Sequence, residues 1–291
     1  FSALGLDQYH IIGVNDDEGM VVRYADLHCH SDNSLGDGKS KVSEIIAARE
    51  WSGALTDHGN MYGFLEYYLG MKKAGKKPIL GFEAYMVDMD GELTRNHLIL
   101  LAENNQGLKN LYKLTSEAYD HFYRKPHVTW EMLERYHDGV ICLTACPSGL
   151  LSRTILDGGM ELACKVMERF IGIFGKDNFF VELQRHHLPN EELIHDKLVA
   201  LAKKYEVKLV VTTDSHYPAP EDKQIHEILL CIDRNQLIDD PNHATYDGDG
   251  YFLHTSEDME ELFPDHPEAM DNTLEIAKRC NVDIKLKDVN L

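Results

Sequence analysis

Seven short apolar runs alternate with amphipathic stretches along this chain, and that alternation limits its fold more than any other feature. The runs occupy 20–28, 52–59, 77–87, 96–103, 139–146, 179–186 and 207–216. Helical patterns lie between most of them. The stretch 40–50 opens on Ser40, 61–77 ends in lysines and a glycine as helix C-termini prefer, and 189–206 carries a stripe of apolar residues at 193, 194, 198, 201 and 202. Strand–helix alternation of this kind predicts a parallel α/β sheet, open or closed into a barrel. In such folds reactive side chains gather at the C-terminal ends of the strands. Six of the seven runs end in or beside a titratable or metal-capable group: His28 and His30, Asp57 and His58, Glu83, Cys146, His186, and Asp214 with His216. The fourth run begins with one instead, His97.

The chemistry of these residues is more specific together than apart. His28 and His30 flank one residue, and in a strand such a pair points to one side and can chelate a single ion. Alone, H-x-H fits an exposed strand face equally well. Asp57–His58 and Asp214-x-His216 repeat the pattern at two further strand ends, with Asp37 in a glycine-flanked turn. Imidazole, carboxylate and thiolate together suit zinc, with manganese or iron as alternatives. The donors outnumber what one ion accepts, so two or three divalent ions are expected. Such centres clamp a phosphate ester and generate a hydroxide nucleophile from water.

Charge bears on the substrate. The chain carries a formal net charge of −20, the reverse of a free-standing nucleic-acid binder. A phosphate substrate would therefore be met by metal ions or by other parts of a larger assembly; simple solubility also accounts for the acidity. The six cysteines show no disulfide framework and are expected as reduced thiols, which with the lack of a secretory signal or long apolar run predicts a cytoplasmic protein with no membrane partner.

The segments "DLHCHS", "LTDHG", "GFEAY", "NHLILLA", "LTACPSG" and "TTDSH" resemble, in this order, the motifs of the PHP (polymerase and histidinol phosphatase) family. The resemblance implies a distorted (β/α)7 barrel with a trinuclear metal site at the C-terminal mouth of its strands. It assigns ligand roles to His28, His30, Asp37, His58, Glu83, His97, Cys146, Asp214 and His216. Its implied partition puts His28, His30, Glu83 and Asp214 on one ion, and Glu83, His97 and Cys146 on a second. Asp37, His58 and His216 would hold the third. The stretches 55–63, 100–119, 222–232 and 256–282 further resemble the N-terminal domain of bacterial DNA polymerase III alpha subunits. Residues 22–245 would then form the barrel and 246–291 a helical tail leading toward a polymerase core, with 1–21 an atypical extension. The chain also looks shorter than is usual for the family between Ser40 and His58 and in 87–96, without losing a ligand. No polymerase motif is present, so this segment by itself is not expected to polymerise DNA.

The resemblance implies a metal-dependent phosphoesterase with 3′–5′ exonuclease activity, a metal-bound hydroxide attacking the terminal phosphodiester. The partners implied are DNA, the remainder of the alpha chain, and a proofreading exonuclease subunit with other replisome proteins. Two other readings stand beside it: a catalytically silent domain that stabilises the polymerase and docks that subunit, and a stand-alone phosphatase on a small phosphomonoester. His186 and Arg185 are candidate contacts for substrate phosphate, or else a surface pair. Asp26 and Asp57 can orient a ligand imidazole or cap turns. The basic cluster 72–77 fits a solvated helix end better than a DNA contact. A nucleophilic Cys146 is a rival to ligation.

Overall fold

The computed structural model describes residues 22–189 and 191–286, so the expected extension 1–21 lies outside the described residues. Six of the apolar runs become strands: β1 Ser52–Leu55, β2 Lys77–Met86, β3 Asn96–Ala102, β5 Val140–Leu143, β6 Phe179–Leu183 and β7 Lys208–Val211. The two-residue β4, His127–Val128, has no sequence signal of its own and pairs with the end of β2. The strands form one curled sheet in the order β1-β2-β3-β5-β6-β7, with β4 against β2.

The all-parallel sheet expected from the alternation needs one correction. β3 runs antiparallel to both β2 and β5, whereas the remaining pairs are parallel. The link from β2 to β3 is the loop 87–95, too short for the crossover helix that a parallel neighbour requires. The reversal explains why His97 begins its run: the N-terminal end of β3 lies where the other strands have their C-terminal ends.

The first run, expected as a strand over 20–28, is an irregular seam. Asp26 bridges Gly53 and Cys29 bridges Ser215. The amides of Ala54 and Thr56 donate to Asp26 O (2.7 Å) and Cys29 O (2.9 Å), and on the other side His30 N donates to Ser215 O (2.8 Å). By dividing its bonds between the two edges the segment makes a full ladder with neither, and it joins β1 to the end of β7.

Inward-facing residues change character along each strand. Ala54, Ile79, Ile99, Leu101, Ile141, Leu143, Phe180 and Val210 form an apolar interior cluster. Two or four residues further toward the mouth, on the same alternating face, come Thr56 and His58, Glu83, His97, Glu182 and Gln184, and Thr212 and Asp214. The barrel is thus filled with hydrocarbon below and ionisable groups above. Residues on the opposite strand faces, such as Leu80, Phe82, Leu100, Phe179 and Val181, join the larger cluster under the surrounding helices.

A helix of the expected C-terminal helical tail forms the floor. Leu274, Ile276 and Ala277 of the helix Pro267–Arg279, with Cys280, complete the interior cluster. Thr273 Oγ1 accepts from Ala25 N at 3.1 Å, and Arg279 Nε donates to Glu103 at 3.0 Å. Lys76 and Lys77 of the basic cluster donate to the carbonyls of Ile46 and Lys278, so they fasten the lower rim.

Candidate metal centre

Glu83, fully buried at the mouth, is surrounded by imidazoles. Its Oε1 lies 3.0 Å from His97 Nδ1 and 3.3 Å from His28 Nε2; its Oε2 lies 2.8 Å from His58 Nδ1 and 3.2 Å from His30 Nε2. Asp214 Oδ1 lies 3.0 Å from His28 Nε2 and 3.2 Å from His30 Nε2. Asp37 Oδ2 is 3.1 Å from His58 Nε2 and 3.8 Å from His216 Nε2. Cys146 Sγ reaches His97 Nδ1 at 3.3 Å and Glu83 at 3.9 Å. Ala145 and Asp214 hold left-handed backbone, φ 63° and 48°. Such backbone costs about 1–3 kcal/mol at a non-glycine residue; here it turns the chain just where Cys146 and Asp214 meet the centre.

Three groups have donor atoms all within 4.8 Å of one another: His28, His30, Glu83 and Asp214; His58, Glu83 and His97; and His30, His58 and His216. The first coincides with the expected partition. In the other two, His58 stands where Cys146 was expected, and His30 where Asp37 was. The geometry therefore gathers all nine expected donors at one mouth while apportioning them differently.

Hydrogen bonds to the outer ring nitrogens show what the inner ones are for. Glu182 Oε1 lies 2.7 Å from His28 Nδ1, a carboxylate that only accepts. The carbonyl of Asp214 accepts from His216 Nδ1 at 2.7 Å. Ser34 Oγ donates to Asp57 at 2.8 Å, so its contact with His30 Nδ1 at 3.0 Å is one in which it accepts. In the neutral form that can bind metal, all three rings would thus keep the proton on Nδ1 and leave Nε2 as the inward donor, the tautomer a metal ligand needs. His28 Nε2, His30 Nε2, His58 Nδ1, Glu83 Oε2 and Asp214 Oδ1 are buried without a partner in hydrogen-bonding geometry. They converge on shared points instead of along one another's bonds. Every ion pair of Glu83, Asp214 and Asp37 is with a histidine. Glu83 and Asp214, buried with no lysine or arginine partner among the described residues, call for another cation, and this donor set fits divalent metal.

Residues 26–186 match the PHP domain family. The chain belongs to the PHP family. Among curated relatives, the DNA polymerase III subunit alpha of Borreliella burgdorferi is 40% identical over 89% of this chain and 24% of its own length. That of Treponema pallidum is 38% identical over 90% and 23%, and that of Thermus aquaticus 35% over 93% and 24%. This PHP domain therefore spans about a quarter of the length of the relatives it matches. A solved amidohydrolase from Chromobacterium violaceum superimposes with a TM-score of 0.45 at 15% identity, over 67% of this chain and 88% of that one, too loosely to bear on the site.

The charges of the PHP centre depend on one another. Burial opposes ionisation of Glu83, but His97, His58 and His28 overcome it and hold the carboxyl well below its ordinary range. Asp214 is likewise lowered against burial, by the charge and hydrogen bond of His28. Burial disfavours the His28 cation, yet Asp214, Glu83 and Glu182 outweigh it and raise the imidazole well above its usual value. Burial takes His216 down to about 3, leaving it neutral. Burial, then Asp214 and Glu83, push the Cys146 thiol well up, the reverse of an activated nucleophile.

The other expected residues have different neighbours. Asp26 pairs with Arg49 at 2.8 Å and accepts from His28 N, not from its ring, so of its two expected roles it holds backbone and not an imidazole. Asp57 does act on one, through Ser34. Arg185 spends its fork on Asp265 (2.8 and 2.7 Å) and on Leu262 O. His186 is buried, stacked on Tyr251 with ring centroids 3.8 Å apart. Sequence reasoning missed Glu182 and Gln184, although Glu182-x-Gln184-x-His186 is the same alternate-residue pattern that exposed the histidine pair. It also missed Tyr246, whose hydroxyl donates to Asp37 (2.8 Å), and His226, 3.3 Å from the same carboxylate; neither carries a local signal.

Proposed function

We propose that this PHP domain is a metal-dependent phosphodiesterase that removes nucleotides from a DNA 3′ end as part of a bacterial replicative polymerase. The observation that carries the proposal is Glu83, one buried carboxylate within 3.3 Å of four imidazoles, which is the geometry of a bridging ligand. His28, His30, Asp37, His58, Glu83, His97, Cys146, Asp214 and His216 are the ligands in this reading, holding two or three ions. The thiol and imidazoles favour zinc, with manganese or iron as substitutes.

Bound divalent ions supply a water nucleophile at neutral pH and charge neutralisation for a phosphodiester. The chain's own part is to hold and orient. Glu182, Ser34 and the Asp214 carbonyl fix ring tautomers, and the apolar barrel floor keeps solvent from below. Tyr246 and His226 hold the Asp37 carboxylate. The polymerase context, with DNA, the rest of an alpha chain and a proofreading subunit as partners and the cytoplasm as location, rests on the relatives' names. Among the described residues no helix is long and apolar enough to cross a membrane.

The test is release of mononucleotides from a 5′-labelled primer by the chain reconstituted with zinc or manganese, alongside metal counting by mass spectrometry. Release with two or more ions bound supports the reading. Fewer than two ions and no release would sink it.

A further inference from the structure

Large aromatic rings stand in solvent beside the mouth: Tyr62 is 62% exposed, Tyr119 48%, Phe122 57% and Tyr123 54%. They form a connected rim. Tyr62 and Tyr119 share a hydroxyl contact of 2.9 Å, and Tyr119 and Phe122 lie nearly parallel, 12° apart with centroids at 6.0 Å. Arg124 sits over Tyr123 at 5.4 Å, and Lys125 over Tyr85 at 5.4 Å. Tyr85 in turn stacks on His58, centroids 5.5 Å and planes 16° apart.

The fold holds this rim against the centre. β4 pairs His127 with Tyr85, which stitches the segment 122–126 to the mouth end of β2. Gly59, next to His58, has φ 64°, and a Cβ there would stand 3.2 Å from both Pro126 and Tyr85. Tyr62 is tied to the same turn by its amide, which donates to Asn60 at 2.9 Å. From 118 to 126 the segment carries Arg124 and Lys125 against the single acid Asp120, in a chain of net charge −20.

We propose that this rim is a stacking platform for unpaired bases of single-stranded nucleic acid, with Arg124 and Lys125 on its phosphates and its terminus directed at the metal centre. Exposed parallel rings beside cations are what sequence-tolerant base stacking uses. The local positive charge fits a polyanion that the rest of the surface repels. That the strand is DNA and its end is cleaved rests on the function proposed above; the stacking itself does not.

The test measures fluorescence anisotropy of a labelled oligothymidylate, its 3′ linkages phosphorothioate, on the metal-loaded chain. Hydrolysis of the small ester bis(p-nitrophenyl) phosphate is followed in parallel. The pair Tyr119→Ala and Phe122→Ala is expected to weaken strand binding at least about tenfold with small-ester turnover unchanged, while Tyr119→Phe and Phe122→Tyr retain binding. Removing Arg124 and Lys125 flattens the salt dependence by about one to two in slope. Wild-type binding in the alanine pair, or no strand binding by the wild type, overturns the rim and leaves the small-ester chemistry to stand by itself. A wild type that binds through the rim but hydrolyses neither the small ester nor an unmodified DNA primer supports the rim and overturns the exonuclease reading.

Discussion

His28 Nδ1 lies 2.7 Å from Glu182 Oε1, and that contact decides which nitrogen of the ring faces the metal centre. Glu182 is itself held by Gln184 Nε2 at 2.8 Å and by the Thr212 hydroxyl. Glu182→Gln keeps the shape but sets an amide among amide and hydroxyl donors. Metal affinity is expected to fall about 10- to 100-fold, read by competition with a zinc-binding dye. An unchanged affinity would show that the His28 tautomer is fixed by something else.

Glu83 is a member of two of the three groups and lies within 3.3 Å of His30 and His58, which with His216 make up the third. Glu83→Gln removes the bridging charge, so the loss is expected to exceed that of Glu182→Gln, with the bound-ion count falling by at least one and phosphodiesterase activity lost. Mass spectrometry of the purified variant reads the count. Full occupancy in this variant contradicts a bridging role.

The pH dependence of stability follows from the metal-free shifts. The imidazoles of His28 and His58 are raised, against burial, by carboxylates and, for His58, by Tyr85. Their stabilisation is complete below the unfolded value of about 6.5 and is lost as pH rises through the folded value. His186 and His216, lowered by burial to about 4 and about 3, act in the opposite sense, but only below about pH 6.5. Above that, they are neutral in both states. Asp214 and Glu83, both lowered, add stability that is lost only on acidification through their folded values. The chelated protein should therefore lose thermal stability as pH rises above about 6.5. The metal-loaded protein should not, because ligation needs neutral imidazole and strengthens with pH. Melting curves with and without chelator decide this; parallel curves would contradict it.

The sheet and most of the centre were legible because both depend on short-range periodicity. A strand that must be apolar below and ionisable above writes its function at its own end, as "VTTDSH" and "ILGFE" do. What was not legible depends on chain reversal and distance. The antiparallel β3 has the same composition as a parallel strand, and only the position of His97 hinted at its direction. β4 is two residues long. The floor helix Pro267–Arg279 has an ordinary amphipathic pattern, and nothing local says that its apolar face closes the barrel. Tyr246 and His226 meet Asp37 only through folding. The first run contains the histidine pair but cannot form a ladder, because its bonds are divided between two neighbours.

Arg185, a candidate for either substrate phosphate or a surface pair, binds the segment before the floor helix. Its guanidinium grips Asp265 at 2.7 and 2.8 Å and lies over Phe263 at 4.9 Å. Asp265 is about half exposed, so solvent weakens the pair, and Arg185→Ala is expected to cost about 1–2 kcal/mol. Thermal unfolding should show a drop of a few degrees with no change in KM for a phosphodiester. A raised KM at unchanged stability would return Arg185 to the substrate.

Tyr246 offers the cleanest separation of one metal position from the others. Its hydroxyl donates to both oxygens of Asp37, at 2.8 and 2.9 Å, and lies 3.3 Å from His216 Nε2. Asp37 is the outermost carboxylate of the centre and takes no part in the Glu83 or Asp214 contacts. Tyr246→Phe preserves the ring packing against His226 and Tyr251 while freeing the Asp37 carboxylate to turn. The expected result is about 10- to 100-fold weaker binding of a single ion, the remainder staying bound. Titration calorimetry should then show one binding phase shifted and the others superimposable on wild type. A uniform weakening of all phases would mean that the centre behaves as one cooperative unit, and a three-position description of the site would have to be given up.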